Sequence, residues 1–192
     1  MKFFFVRDYK GRYRYFSSDS AKPIQVEFSK SREVWERAKK KLMLLPHRTL
    51  RMEQAFERAL RLKDGCLPIV YAGSTDEKKA RLKFSLFLQK QRTTHILVLA
   101  GEAVLVPISG LAALLPGPNI AFYALALLMI TQWLALRGIN RTIKAEHKLI
   151  PDPHLAAWEE AVHSGEVKRY PEVLASIENA HNIKDIRKIL YK

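Results

Sequence analysis

Cysteine is almost absent: Cys66 stands alone in 192 residues. An intramolecular disulfide is therefore excluded, which fits a reducing compartment. A multi-thiolate metal site is excluded as well. The six histidines (His47, His95, His147, His154, His163 and His181) show no zinc-ligand spacing, so no metal is expected. Glycine is scarce and scattered. Gly11, Gly65 and Gly73 read as isolated turn residues, and nothing resembles a phosphate-cradling loop. No serine sits in a G-x-S-x-G elbow and no Ser/His/acid set reads as a triad. The expectation is a protein that is not an enzyme and has no cofactor. The opening MKFFFVRDYKGRYRY lacks a long apolar run and alternates like a strand, so neither a secretory signal nor an amphipathic presequence is expected there. That favours a prokaryotic protein, or a eukaryotic one whose presequence is absent from this numbering.

Charge is missing from one stretch. Between residues 96 and 136 there is no Lys or Arg and a single acid, Glu102. Residues 1–95 hold 23 basic and 10 acidic side chains, and residues 137–192 hold 10 and 8, within a chain of net charge +14. A strongly basic segment beside an uncharged one suits an anionic surface. Nucleic acid would attract the same charge. The N-terminal aromatics interleaved with Arg7, Lys10, Arg12 and Arg14 could imitate a base-stacking sheet. No ribonucleoprotein-like pattern surrounds them, and lipid headgroups are the more economical partner.

Phe3 and Phe5, then Tyr13 and Tyr15, alternate around Asp8-Tyr9-Lys10-Gly11 and predict a β-hairpin with Gly11 at positive φ. A third strand is expected at 24–28, and a helix over 31–44 carrying Val34, Trp35, Ala38 and Leu42. A second helix is expected from Thr49 to about Leu62, then a strand at 67–71. Ser74 and Glu77 have the spacing of a capping box. The helix they open runs without a break into the apolar stretch. Residues 137–148 read as a basic helix. Short helices are predicted at 154–163, 171–180 and 182–191, with Leu174, Ile177, Ile183, Ile186 and Leu190 forming a joint apolar face.

The uncharged stretch predicts a transmembrane hairpin of two helices, 96–116 and 120–136, since a span needs roughly 17–25 apolar residues. Pro107 would kink the first. Pro116, Gly117, Pro118 and Asn119 would form the turn. Basic residues at both outer ends place both termini on the cytoplasmic or matrix side. The expected fold class is an α+β membrane protein. It comprises a basic α/β domain (1–73), a connecting amphipathic helix (74–95), the hairpin (96–136) and a short C-terminal helical segment (137–192). A buried hairpin in a soluble core is the alternative. Glu102 lies about 9 Å inside the first span at roughly 1.5 Å per residue. Reflection about the turn sets it beside Gln132, with Thr131 and Trp133 close by. It is either a protonatable group on an ion path or a hydrogen-bonded packing residue.

The residues Leu115-Pro116-Gly117-Pro118-Asn119-Ile120-Ala121-Phe122-Tyr123, followed by Trp133-Leu134-Ala135-Leu136-Arg137-Gly138, resemble the mitochondrial potassium–proton exchange-related family. An N-terminal aromatic strand and a Trp-containing helix precede them, as the resemblance requires. It covers the chain from Phe3 to about Arg141 and leaves the C-terminal helices unexplained. It implies a part in potassium–proton exchange across an energy-transducing membrane, as exchanger or accessory. The location would be a bacterial plasma membrane, or the mitochondrial inner membrane in a eukaryote. It supplies no catalytic residues. Pro118, Asn119 and Tyr123 are the matched positions and read equally well as turn and packing residues. Two spans do not enclose a pathway, so transport would need a homo-oligomer or a membrane-protein partner. The rival reading is a membrane-anchored scaffold whose basic domain binds lipid or protein and moves no ion.

Overall fold

The structure is a computed structural model that describes residues 2–18, 47–60, 66–111, 120–183 and 185–191. The strand expected at 24–28, the Trp35 helix and the Pro116–Asn119 turn lie outside the described residues.

The aromatic alternation builds the centre of the fold. Strand β1 (Phe3–Arg7) pairs antiparallel with β2 (Tyr13–Ser17) through a turn with Gly11 at φ 72°, as the sequence predicts. Asp8 is fully buried and closes this turn. Its carboxylate accepts from the Lys10 and Arg12 amides at 2.9 Å and pairs with Arg14 at 2.7 Å. Strand β3 (Cys66–Ala72) adds parallel to β1, and β4 (Glu146–Asp152) adds parallel to β3. The sheet order is β2-β1-β3-β4.

Two-residue periodicity sends neighbouring side chains to opposite faces of the sheet. Phe3, Phe5, Tyr15, Leu67 and Ile69 enter one core, and Phe4, Val6, Phe16, Val70 and Ala72 the other. The first face is covered by α1 (His47–Ala59) through Ala55 and Phe56, by the first half of α2 (Glu77–Leu111) through Phe84 and Leu88, and by Ile139 near the end of α3 (Ile120–Lys144). The second face is covered by α4 (Pro153–Ser164), α5 (Tyr170–His181) and α6 (Ile186–Leu190). Leu174, Ile177, Ile183, Ile186 and Leu190 are all buried there, as their spacing predicts. Trp158 is buried at the centre and its indole N–H donates to the Arg7 carbonyl at 2.7 Å.

Three expectations are corrected. The first is the fold class. The chain is a three-layer α/β fold with a mixed four-stranded sheet, and among the described residues no helix is long and apolar enough to cross a membrane. The transmembrane-hairpin and integral-membrane readings fall with it. The reason lies in where the apolar residues are used. The last turns assigned to the second span belong to the core: Ala135 is buried, Leu134 and Leu136 are partly buried, and the same helix continues through buried Gly138 and Ile139. The stretch assigned to the first span is interrupted by Glu102 and enters from a helix with lysines and arginines along its length.

The second correction is a strand. Residues expected to stay helical to 148 leave α3 at Lys144 and form β4. Pro151 is tolerated because β4 is an edge strand, and proline cannot donate to an inner ladder. The C-terminal helices thus pack on the same sheet as the N-terminal hairpin. The third is the start of α2. The first helical bond runs from the Ala80 amide to the Asp76 carbonyl, so the helix opens at Asp76–Glu77 rather than from a Ser74 cap.

Candidate functional site: the polar level of the helical arm

Helices α2 and α3 extend as a pair beyond the sheet, forming a helical arm. Near its base a polar level interrupts the apolar packing. His95 is 5% exposed, and its Nδ1 faces the Gln132 side-chain oxygen within hydrogen-bond reach. Burial holds this imidazole below its ordinary pKa and the Gln132 bond opposes that, so His95 is the neutral partner of an amide.

Gln132 is therefore engaged with His95, not with Glu102. The reflection about Gly117-Pro118 misjudged the register. The observed pairing is centred about one helical turn earlier in the chain. The Thr131 hydroxyl donates to the Leu128 carbonyl at 2.8 Å within α3. Trp133 is half exposed and lies under the Arg137 guanidinium, 5.5 Å from the ring centre. Tyr123 sits on the described backbone of α3. Pro116, Gly117, Pro118 and Asn119 lie outside the described residues.

A second acid that the sequence reading did not single out is buried on α1. Glu53 on α1 is 8% exposed. Burial, reinforced by the charge of Glu102, raises its carboxyl to about 7. Glu102 is partly exposed, yet its Oε2 is closed off from solvent without a partner, and burial raises its pKa too. The only available signal in the sequence was that Glu53 shares the apolar face of its helix with Phe56, a place where a lone acid is costly.

Alpha-helix α1 is held against α3 by a backbone crossing. A Cβ built on Gly138 would lie 2.1 Å from the Phe56 carbonyl oxygen, so only glycine allows the approach. This gives a structural role to the glycine that ends the Trp133–Gly138 segment.

At the carboxyl ends of β1 and β3 the chain leaves toward opposite edges of the sheet, where α/β proteins commonly hold ligands. An open cleft of about 590 Å³ lies there, lined by Arg7, Ser74, Thr75, Glu159 and His163 among others. Its inner charges are already engaged. The Arg7 amide donates to Glu159 at 3.3 Å, and the Arg7 guanidinium donates to the Tyr13 hydroxyl at 3.1 Å. Among the described residues no group of three or more His, Cys, Asp or Glu side chains could hold a metal.

The fold and the arm define a three-layer α/β protein with a projecting helical pair. No family model, curated protein or solved structure matches this chain.

Proposed function

We propose that this protein is an accessory factor in monovalent cation (potassium)/proton homeostasis, and that it docks its helical arm on an anionic membrane surface and moves no ion itself. The observation that carries the docking is the exposure of large apolar side chains beyond His95. Leu97 and Val104 are each 67% exposed and Leu105 is 51% exposed. Such a patch on a folded protein marks a contact surface.

Two features favour lipid over a protein groove. Ile96, Leu97 and Val98 are consecutive and all exposed, so they point in directions about 100° apart around the helix. A groove takes one stripe of a helix, whereas acyl chains accept every side. The base of the arm also carries exposed cations: Lys90 and Arg92 on α2, and Arg137 and Arg141 on α3. Each cation at an anionic surface contributes about 1 kcal/mol. The arm dips into the headgroup and acyl boundary, and the basic collar meets the phosphates. The potassium–proton part of the proposal rests on the family resemblance of the segments around Asn119 and Gly138. Two helices enclose no pathway, so the protein would act on flux through a partner.

The test has two arms. Flotation with phosphatidylserine/phosphatidylcholine vesicles should recover the protein, and pure phosphatidylcholine should recover far less. In membranes from cells lacking the protein, a potassium gradient read with a pH dye should show altered exchange that returns on re-addition. Unchanged exchange would remove the homeostasis role. Failure to float would remove the docking.

A further inference from the structure

Arginine and lysine side chains repel one another, so a chain that gathers several around one concavity creates a positive potential there. The β1–β2 hairpin and α2 do this. An open groove of about 660 Å³ runs between them, lined by Arg12, Tyr13 and Arg14 on one wall and by Lys83, Phe87 and Lys90 on the other. Among the described residues no acidic side chain lines it. Its size is that of a small-molecule site. Lys83, Phe87 and Lys90 are four and three residues apart and share one face of α2. The two lysines therefore lie about 10 Å apart along the helix axis.

The four cations are not equivalent. Arg14 donates twice to the Asp8 carboxylate, at 2.9 and 2.7 Å, which holds the guanidinium in place and offsets its charge. Lys83 is partly buried and also lines the small adjoining cleft of Glu159. Arg12 and Lys90 are exposed, one on each wall. Gly11 borders the groove at positive φ, and a Cβ there would meet nothing within 4 Å, so the turn leaves space on its side. The aromatic ring in the wall is no platform for a nucleobase. Tyr13 stacks on Phe5 at 4.5 Å and carries the Arg7 guanidinium 5.1 Å from its centre, so it is already engaged. Charge rather than stacking selects what enters. Arginine matches phosphate oxygens in pairs, and lysine binds phosphate as a point charge. A row of cations about 10 Å long suits linked phosphates better than a lone one.

We propose that this groove binds an anion carrying two or more phosphate groups, seated between Arg12 and Arg14 of the hairpin and Lys83 and Lys90 of α2. A soluble polyphosphorylated compound and a multiply phosphorylated lipid headgroup both present this chemistry. Lys90 also belongs to the basic collar of the arm, which brings a headgroup at a membrane surface within reach of the groove. The inference concerns the groove alone and does not depend on the apolar arm entering lipid.

The test titrates the full chain with inorganic tripolyphosphate by calorimetry at about 0.15 M salt, where diffuse surface attraction is screened. One equivalent should bind, at least about 10-fold more tightly than inorganic phosphate. Lys83→Ser/Lys90→Ser should weaken it by at least about 10-fold. Lys78→Ser/Lys79→Ser removes the same charge from exposed positions of α2 that do not line the groove, and should change it by less than about 2-fold. Equal losses in the two double variants would overturn the proposal, as would several weak equivalents or no binding. If Lys83→Ser/Lys90→Ser fails to fold, Arg12→Ser decides, because that side chain is exposed at a turn. An unmoved affinity in Arg12→Ser would then overturn the proposal. Tripolyphosphate binding should be unaltered in Leu97→Ser/Val104→Ser, so a failure of docking by the arm leaves this result standing. The source of the phosphates is read with phosphatidylcholine vesicles containing a phosphoinositide that bears two phosphomonoesters. Groove-dependent binding that tripolyphosphate displaces assigns the site to a lipid headgroup. Tripolyphosphate binding without it assigns the site to a soluble compound.

Discussion

The two halves of the α2–α3 pair are built from similar residues and spend them differently. Toward the sheet, Phe84, Leu88 and Ile139 are buried in the core that the strands share with α1, and Ala135 is buried as well. Beyond His95 and Gln132, Leu97, Val104 and Leu105 stand exposed. Hydropathy along the chain does not separate these halves, because Ala135 and Leu97 belong to equally apolar stretches. What separates them is the presence of a partner surface. The inner half stabilises the fold. The outer half leaves Leu97, Val104 and Leu105 uncovered. The polar contact of His95 with Gln132 lies in the region where one use gives way to the other.

The contrast can be broken most forcefully from the core. Trp158→Ala removes the centre of the second core and orphans the Arg7 carbonyl. It should cost about 3–5 kcal/mol in chemical denaturation. Gly138→Ala is the next largest. Helix propensity alone would favour alanine, but the new methyl meets the Phe56 backbone, which cannot swing aside. A loss of about 1–3 kcal/mol is expected. A gain in stability would mean that α1 and α3 do not cross as described.

The pH dependence sharpens the contrast at the boundary. The Glu53 carboxyl is raised in the folded chain from 4.5 to about 7. Between these values the folded state holds a proton that the unfolded state releases, so stability falls as pH rises. The contribution is fully present below about 4.5, declines through about 7 and is flat above it. Its full size is about 3 kcal/mol at most. Glu53→Gln should be more stable than the native chain at pH 8 and nearly equal at pH 4. The opposite order would show that Glu53 is ionised and paired.

The smallest expected effect on stability is in the outer half. Leu97→Ser and Val104→Ser should change unfolding free energy by no more than about 0.5 kcal/mol. Each should weaken vesicle binding by about 10-fold, the scale of one apolar side chain withdrawn from lipid.

Much of the sheet and the second layer was legible in the sequence, because local periodicity dictated it. Phe3 to Tyr15 alternate around a turn glycine, and the face from Leu174 to Leu190 repeats at helical spacing. Strand β4 was not legible. Only Leu149 and Ile150 are apolar in it, and Pro151 argued for a break, whereas pairing with β3 supplies its order. The transmembrane reading failed for a related reason. Apolar length marks a span only when no protein surface covers it, and the core that takes in Ile139 is assembled from distant segments. At the candidate site, Glu102 was recognised as anomalous, and Gln132, expected beside it, faces His95. Reflection about a turn fixes neither the helix crossing nor the position of α1, so Gln132 was drawn to Glu102 and Glu53 was overlooked.

The decisive experiment is equilibrium binding of the full chain to vesicles of phosphatidylserine and phosphatidylcholine, compared with the Leu97→Ser/Val104→Ser double variant at matched stability. The native chain should bind in a salt-sensitive manner and the double variant should lose about 100-fold in affinity, taking the two sites as additive. Equal binding of the two proteins, or no binding by either, would contradict a docking role for the arm.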